Sequence, residues 1–404
     1  MAEHRDLAAL PLAGLSVLEF TQNIMGPSAG VVLADLGADV VKVEPAPQGE
    51  STRRLTGFAA GFFGYFNRNK RSLAIDLKHP SGREIVHRLA ARADVVIENY
   101  APGTMERLGC GYDTLAAINP RLVYCALKGF LSGPYEHRPA LDEIVQFMGG
   151  LAYMTGPPGQ PLRAGTSIVD IMGGAFAVVG ILAALRERDR SGRGRAVKSA
   201  LFESTVFLMG QHMAASAIMG EPVPPMTVRR GGWGIYQIFK TADGDQVFVG
   251  VTSNQHWTRF CQAFDRPDLL QDARLGTNED RVTAQDWFIP LIAELLGRYT
   301  KADIVARCEQ ASIPFAPVAR PEDLFDDPHL AASGGLLEVD LPGGIRTKLP
   351  RLPLEIDGGR PGLRLEAPRV GQHTREVLRQ AGLGESEIAA LARQGVILLD
   401  EAPR

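Results

Sequence analysis

One aspartate, Asp170, stands between a Gly/Ser-rich loop and a long apolar stretch of the chain. The run from Ile171 to Leu185 is almost wholly apolar or small, which predicts a helix buried on most faces. An Asp in the first turn of such a helix lies among backbone N–H groups that lack partners, where the helix dipole is positive. We expect this environment to keep the carboxylate ionised. Asp170 is therefore either an ordinary cap of the helix or a nucleophile.

Length and composition indicate a soluble globular protein of about two domains. The chain has 404 residues, of which 45% are hydrophobic and 22% charged, and a formal net charge of −3. Lys and Arg form no tract, so we expect no nucleic-acid partner. The four cysteines are scattered without metal-ligand spacing, so we expect no metal. The first residues lack the layout of a signal peptide, and the apolar run 171–185 is too short and too Gly-rich to span a bilayer. We therefore expect a cytoplasmic protein without a membrane partner.

Short apolar runs alternate with helical patterns through the first half of the chain, at 15–20, 39–43, 94–98 and 122–127. This alternation predicts a parallel α/β sheet. The turn after the first run reads Gly26-Pro27 and does not match the G-x-G-x-x-G pattern of a dinucleotide-binding domain. Glu44 alone stands where a ribose-binding acid would lie.

The pattern changes after a proline-rich segment at 221–225, which predicts a domain boundary. Asp243-Gly244 then predicts a β-hairpin, and helical patterns follow at about 285–299 and 301–310. This part of the chain is expected to be a smaller α+β domain. From about 335 a further hairpin, turning at 342–344, leads to two short helices around 374–380 and 385–394.

Several local patterns occur in an order and spacing that resemble the class III coenzyme A transferases, the family that contains formyl-CoA transferase. The resemblance runs from about Leu12 to Val396. The patterns are VLEF at 17–20 with Gly26-Pro27, LGADVVKVE at 36–44, NRNKRS at 67–72, DLK at 76–78, DVVIENY at 94–100, Gly165…Asp170, and PRVGQHT at 368–374.

The resemblance implies an α/β architecture in which a large Rossmann-like domain is built from both chain ends. Residues 1–220 would form its N-terminal part, 226–330 a smaller inserted α+β domain, and 331–404 the return to the large domain. It also implies a homodimer whose two subunits interlock like links of a chain.

The family's catalytic residue is an aspartate at the position of Asp170, so the resemblance favours the nucleophile over the cap. It implies a mixed anhydride and then an aspartyl-CoA thioester, with Asp142 in support; Asp142 can instead be read as the cap of a helix at 143–147. Developing oxyanions need backbone N–H donors. The glycine candidates for this role are Gly149, Gly150, Gly231, Gly232 and Gly234.

Coenzyme A enters this reaction as a substrate, and the resemblance implies no separate cofactor. Positions that match the family's CoA contacts suggest Ile75, Asn99, Tyr100, Arg107 and Lys128. Arg107 can equally be a solvated helix residue. Two further basic contacts of the family fall here on Pro139 and on Pro45 or Ala46, so only part of that set is carried over.

Two alternatives stay open beside the transferase: an α-methylacyl-CoA racemase or isomerase, and a non-catalytic CoA-binding protein. The racemases of this fold use a His directly before the first Asp, and that position is Leu141 here, which cannot carry a proton. The expected partners are an acyl-CoA, such as succinyl-CoA or another dicarboxylyl-CoA, and a carboxylic acid. Arg163, Arg229 and Arg230 either bind a second carboxylate or are surface charges.

Overall fold

The computed structural model describes residues 10–228 and 231–400. The chain divides into two compact units: the described residues up to Thr227 together with those from Ala331 onward, and the segment Val228–Leu330. Elements are numbered along the chain. Besides the α-helices there are short 3₁₀ segments at Ser51–Arg54, Gly57–Ala59, Ala273–Leu275 and Pro321–Asp326.

The larger unit is built on a seven-stranded sheet. Its strands are β1 (Ser16–Phe20), β2 (Asp39–Glu44), β3 (Lys70–Ile75), β4 (Val95–Glu98), β5 (Val123–Lys128), β6 (Ala196–Ala200) and β12 (Ile397–Leu398). Their order is β12-β3-β2-β1-β4-β5-β6. The strands β1 to β6 pair in parallel, and β12 pairs antiparallel with β3. The predicted parallel α/β sheet is confirmed. Central strands such as β4 are buried along their length because both faces are covered.

Helices cover both faces of this sheet. They are α1 (Met25–Asp35), α2 (Phe62–Phe66), α3 (Pro80–Ala90), α4 (Thr104–Arg107), α5 (Tyr112–Ile118), α6 (Asp142–Met148), α7 (Leu151–Thr155), α8 (Ile168–Ser191), α9 (Leu201–Met219), α16 (Thr374–Gln380) and α17 (Glu385–Arg393), and α15 (Pro328–Ser333) precedes the return to this unit. One core cluster joins the sheet to α1 and α8, and the other joins it to α3, α5, α16 and α17. The strands β10 (Leu336–Leu341) and β11 (Ile345–Pro350) form a separate antiparallel hairpin.

The helix α8 differs from its prediction in two respects. It runs for 24 residues and is, by length and composition, apolar enough to cross a membrane, so the expectation that this segment is too short is wrong. It also buries one face, which contributes Val178, Ile181 and Leu185 to the core, rather than most of its surface. Val179, at 62% exposure, belongs to the opposite, open face.

Two glycines let α8 approach α1 closely. A Cβ atom on Gly173 would lie 2.5 Å from Cε of Met25, and one on Gly174 would lie 2.1 Å from Oγ of Ser28. Both distances are far below van der Waals contact, so a larger residue at either position would force the helices apart. Because Asp170 lies one turn before these glycines, this contact fixes its position relative to α1.

The smaller unit has a three-stranded antiparallel sheet in the order β7-β8-β9, formed by β7 (Ile235–Lys240), β8 (Gln246–Val251) and β9 (Phe315–Pro317). Its helices are α10 (Asn254–Ala263), α11 (Pro267–Gln271), α12 (Asn278–Thr283), α13 (Gln285–Leu296) and α14 (Lys301–Gln310). The predicted hairpin at Asp243-Gly244 is present, with Gly244 at a positive φ of 81°. Thr300 caps α14 through a capping box, as its sequence suggests.

Candidate active site

Asp170 is the third residue of α8 and is partly buried. Within residues 10–228 and 231–400, its carboxylate oxygens accept no hydrogen bond from another residue. Its side chain is therefore held by the backbone of α8 and by packing, with both oxygens available to a ligand.

The free N–H groups at the start of α8 are instead bound by Asp142. Its Oδ2 accepts hydrogen bonds from the backbone N–H of Val169 at 2.9 Å and of Asp170 at 3.1 Å. Asp142 is itself the first residue of α6 and is 7% exposed. The interpretation of Asp170 as the helix cap is therefore wrong, and so is that of Asp142 as the cap of its own helix: Asp142 caps α8 across 27 residues of sequence.

Gln146, which the sequence analysis missed, completes this connection. Its side-chain amide donates to Oδ1 of Asp142, and its Oε1 accepts the backbone N–H of Ala164 at 2.9 Å. Gln146 is fully buried. Asp142 and Gln146 are four residues apart on one helix face, and that spacing was the only signal in the sequence. The pair ties the loop before Asp170 to α6.

The pKa of Asp170 is raised to about 7 by burial and, second, by the negative charge of Asp142. Burial and the neighbouring charge therefore work against the ionised form that the helix N-terminus was expected to favour. Burial is the larger cause, and Asp142 adds a like charge while its own carboxylate accepts the N–H groups of Val169 and Asp170.

We predict that activity depends on this ionisation. Below about pH 7 the free enzyme carries a protonated Asp170, so kcat/KM should fall by about tenfold per pH unit on the acid side. Asp142→Asn keeps a side-chain oxygen for the α8 N–H groups but removes the like charge, which lowers the pKa of Asp170. The acid limb of kcat/KM should therefore move to lower pH.

The matched control for this pH profile is Glu143→Gln. Glu143 is the next residue along α6, but it is exposed and paired with Arg163. Its replacement should leave the acid limb in place. An acid limb that is the same in Asp142→Asn and in the unmodified protein would contradict the role given to Asp142.

The glycine pair at 149–150 is only partly suited to the role predicted for it. Gly149 donates its N–H to the carbonyl of Val145 at 2.8 Å, so this group is not free to bind an oxyanion. A Cβ atom at Gly149 would lie 2.4 Å from Cγ2 of Thr205, so close packing on α9 explains this glycine. Gly150 has a φ of 87° and precedes α7.

The second glycine segment belongs to the smaller unit, where α12 holds it. Asn278 accepts the N–H of Gly234 at 3.2 Å and donates to the carbonyl of Gly232 at 2.9 Å. The N–H of Gly234 is therefore also occupied, while Gly231 makes no close packing contact. These two bonds give the segment a defined conformation.

Of the three arginines suggested for a second carboxylate, Arg163 is described by the structure, and its guanidinium is engaged by other groups. Arg163 pairs with Glu143 and donates its Nε to the carbonyl of Ala164 at 3.0 Å. Arg229 and Arg230 lie outside the described residues. Among residues 10–228 and 231–400, no group of three or more His, Cys, Asp or Glu side chains is placed to hold a metal ion.

A cleft of about 560 Å³ opens in the larger unit at the carboxyl ends of β1, β2, β3 and β4. This edge is where parallel α/β sheets bind ligands. The lining residues are Thr21, Gln22, Val43, Glu44, Pro45, Gln48, Gly49, Glu50, Ser51, Arg54, Ile75, Asp76, Leu77, Lys78, Tyr100, Thr104 and Leu108. We refer to it below as the β-edge cleft.

Two of the five predicted CoA contacts, Ile75 and Tyr100, line the β-edge cleft. Ile75 gives it an apolar wall at the end of β3. Burial raises the pKa of Tyr100 to about 12, so its phenol stays protonated. The prediction from sequence that an apolar and an aromatic residue face one ligand site is consistent with this placement.

The other three predicted contacts do not line the cleft. Asn99 is used to hold the loop after β1, exchanging two hydrogen bonds of 2.9 and 2.7 Å with the backbone of Gln22. Arg107 is exposed and donates to Oγ1 of Thr104 at 2.8 Å. Lys128 is paired with the buried Glu98 at 2.7 Å and donates to the carbonyl of Tyr100 at 2.7 Å. It therefore supports the cleft wall through Tyr100.

A buried ion network lies directly behind the cleft. Nζ of Lys42 lies 2.5 Å from Oε2 of Glu50 and 3.2 Å from Oε1 of Glu19, and donates to the carbonyl of Thr21 at 3.0 Å. Lys70 also pairs with Glu19, at 2.8 Å. Burial alone would lower the pKa of Lys42, but Glu50 and Glu19 raise it above its usual value. The network joins β1, β2, β3 and the segment after β2.

Comparison with known proteins identifies the class. The model of CoA-transferase family III matches residues 12–374. The chain therefore belongs to this family and is a class III CoA-transferase. The chain is 32% identical to succinyl-CoA:glutarate CoA-transferase of Mus musculus, over 96% of this chain and 90% of that one. It is also 32% identical to the succinyl-CoA–L-malate CoA-transferase beta subunit of Chloroflexus aurantiacus, over 96% and 98% of the two chains.

A solved structure agrees with the fold. The chain is similar to a CAIB/BAIF family protein from Brucella suis, with a TM-score of 0.82, 31% identity, and coverage of 92% of this chain and 99% of that one. The family predicted from the sequence patterns is thereby confirmed.

Proposed function

We propose that the protein transfers CoA from succinyl-CoA, or another dicarboxylyl-CoA, to a second dicarboxylic acid, with Asp170 as the nucleophile. We propose further that it acts in the cytoplasm as a homodimer. The observation that carries the proposal is the Asp170 carboxylate itself. It is partly buried, accepts no hydrogen bond from residues 10–228 or 231–400, and is held in place by α8, whose cap is a different residue. The two dicarboxylates are suggested by the names of the relatives, which transfer CoA between succinyl-CoA and glutarate or L-malate.

The reaction needs no proton transfer at any step. The ionised Asp170 attacks the thioester carbonyl of the donor, the C–S bond breaks, and a mixed anhydride and CoA thiolate form. The thiolate then attacks the aspartyl carbonyl, the anhydride C–O bond breaks, and the first acid leaves as its carboxylate. An aspartyl-CoA thioester remains on the enzyme.

The second half repeats these steps in reverse. The carboxylate of the acceptor attacks the aspartyl thioester and releases CoA thiolate, and the thiolate attacks the acyl carbonyl of the new anhydride. Asp170 is restored as a carboxylate and the new acyl-CoA departs. An Asp suits this exchange because its anhydride and its thioester both stay activated, whereas a Ser would form a less reactive ester.

The proposed homodimer is supported by an apolar surface on α8 and α9 of the larger unit. Val179 is 62% exposed on α8, and Phe207 and Ile218 are 69% and 87% exposed on α9. Large apolar side chains exposed on two helices that pack together are typical of subunit interfaces. We propose that a second copy of the chain covers it.

The racemase alternative is less well supported. Proton removal next to a thioester needs a base. The residue directly before Asp142 is Leu141, whose side chain is apolar and exposed. Asp142 itself is occupied by the N–H groups of α8.

The proposal is tested by trapping the intermediate. Incubation with succinyl-CoA in the absence of acceptor, followed by hydroxylamine, should give an aspartyl hydroxamate in the peptide that contains Asp170, because hydroxylamine attacks thioesters and anhydrides far faster than amides. Peptide mass spectrometry locates the adduct. A parallel incubation with a 2-methylacyl-CoA in heavy water serves as the comparison. Deuterium at its Cα, together with no adduct on Asp170 after the incubation with succinyl-CoA, would favour the racemase and refute the transferase mechanism.

A further inference from the structure

The segment 44–54, which follows β2, supplies seven of the residues that line the β-edge cleft, including Glu44, Glu50 and Arg54. Its last four residues form a short 3₁₀ segment, Ser51–Arg54. This wall therefore carries both acidic and basic side chains toward the same opening. Which of these charges are available to a ligand depends on the partners that each already has.

Glu44 is fully used inside the wall. Its carboxylate accepts hydrogen bonds from Nε of Arg53 at 2.8 Å, from the backbone N–H of Glu50 at 3.0 Å, and from Oγ of Ser72 at 2.7 Å. It is 2% exposed. Burial on its own would raise the pKa of Glu44, but Arg53 and Lys42 hold it below its usual value. Glu44 is therefore an anchor of the segment, and the ribose-binding role considered from sequence does not fit it.

Glu50 is neutralised from behind the wall by Lys42, as described above. Both acids of the segment thus have a cationic partner that points away from the opening. Arg53, which lies within the 3₁₀ segment, also donates a hydrogen bond to the carbonyl of Pro368 at 2.8 Å and so ties the segment to that residue.

Arg54 is different from its neighbours. It is exposed, and its Nη1 donates to the carbonyl of Gln48 at 2.6 Å. In the described parts of the chain it has no carboxylate partner. One hydrogen bond to a backbone carbonyl orients the guanidinium and leaves most of its five N–H donors free. A planar, always charged fork of this kind matches the oxygens of a phosphate group.

The rest of the cleft does not cancel this charge. The exposed Lys78 lines the same opening at the end of β3. Asp76 is the remaining acid of the lining, and its Oδ1 accepts the backbone N–H of Lys78 at 2.9 Å. With Glu44 and Glu50 neutralised, the cleft presents two cations against one carboxylate. No cation follows β2 directly, because those positions are Pro45 and Ala46.

We propose that Arg54 binds a phosphate group of the CoA nucleotide and so contributes to the selection of CoA esters over shorter thioesters. The inference rests on the proposed function, since it assigns a part of the donor to the β-edge cleft. Arg54 is a binding residue in this assignment: it contacts the nucleotide end of the donor, and the reacting carbonyl is left to Asp170.

The test compares three donors: succinyl-CoA, succinyl-dephospho-CoA and succinyl-pantetheine. Arg54→Gln should lower kcat/KM for succinyl-CoA by about tenfold or more, because it removes a charge-assisted hydrogen bond to phosphate. The value for succinyl-pantetheine, which has no phosphate, should stay unchanged. Arg54→Lys keeps the charge and should retain part of the activity with succinyl-CoA. If Arg54→Gln leaves kcat/KM for succinyl-dephospho-CoA unchanged, Arg54 binds the 3′-phosphate, which this donor lacks. If kcat/KM for this donor falls as well, Arg54 binds the diphosphate.

Arg92→Gln is the matched control. Arg92 is also exposed and also donates to one backbone carbonyl, that of Gln380, but it lies outside the cleft lining. Its replacement should leave all three donors unaffected. The assignment would be overturned by an Arg54→Gln variant that loses nothing, or that loses as much with succinyl-pantetheine as with succinyl-CoA. If the unmodified protein transferred no CoA at all, the proposed function would fail instead.

Discussion

Asp170→Asn is expected to abolish CoA transfer while leaving the protein folded. The amide is nearly isosteric with the carboxylate but cannot form the anhydride, so turnover should fall by a factor on the order of 10³ or more. Folding should be preserved because the N–H groups at the start of α8 are bound by Asp142 and not by Asp170. The measurement is the rate of CoA exchange between succinyl-CoA and a dicarboxylate, together with the melting temperature of the variant.

The melting temperature separates two explanations of a dead variant. If Asp170 were the cap of α8, its replacement would cost about 1 kcal/mol of stability and would spare activity. We expect the reverse pattern. Near-normal turnover in Asp170→Asn, with or without a lower melting temperature, would rule out Asp170 as the nucleophile.

Lys42→Met should cause a large loss of stability in the larger unit. Nζ of Lys42 is fully buried and binds Glu19, Glu50 and the carbonyl of Thr21. Met fills a similar volume but leaves the Glu50 carboxylate buried without its cation, and leaves Glu19 with Lys70 as its cation and Thr21 as a hydrogen-bond donor. Breaking a buried ion pair by removing one partner costs about 3–5 kcal/mol. Urea unfolding followed by circular dichroism measures this loss.

The control for this substitution is Lys198→Met. Lys198 pairs with Glu136 at 3.1 Å, but the Lys198 side chain is exposed and that of Glu136 is one-third exposed. Exposed pairs contribute about 0–1 kcal/mol, so this variant should unfold close to the unmodified protein. Tryptophan fluorescence follows the unfolding of the smaller unit separately, because Trp233, Trp257 and Trp287 all lie in that unit. Equal losses of stability in Lys42→Met and Lys198→Met would contradict the weight given to the buried network.

Much of the fold was predictable because the pattern of apolar residues is clear. The runs that became β1, β2, β4 and β5 are rich in Val, Leu and Ile, and Pro80 stands in the first turn of α3, where proline is favoured. The strand β3 was missed, since it begins with Lys70, Arg71 and Ser72, which are all buried. These polar residues are tolerated inside because partners from distant segments satisfy them, and such partners are not visible in a local sequence window.

The candidate site shows the same limit. Asp170 could be identified from its position before an apolar helix and from the family resemblance. The hydrogen bonds from Val169 and Asp170 to Asp142 join residues that are far apart in the chain. That Asp142, and not Asp170, caps α8 could therefore be seen only in the structure. Likewise, Lys128 lies at the end of a strand as expected, but Glu98 occupies its charge. A cation at a ligand-binding edge is available to a ligand only if no acid has been folded beside it.

The placement of β12 has a consequence for the biosynthesis of the protein. Residues 397–398 pair with β3 at the edge of the main sheet, so this sheet is completed by a strand that is translated more than three hundred residues after its neighbour. The smaller unit, Val228–Leu330, is continuous in sequence and is fully translated before then. Because domains generally fold as they emerge during synthesis, the smaller unit is free to fold on the ribosome, while the larger one waits for nearly the whole chain. Until β12 is translated, the edge of β3 is unpaired, and the nascent chain depends on protection from aggregation.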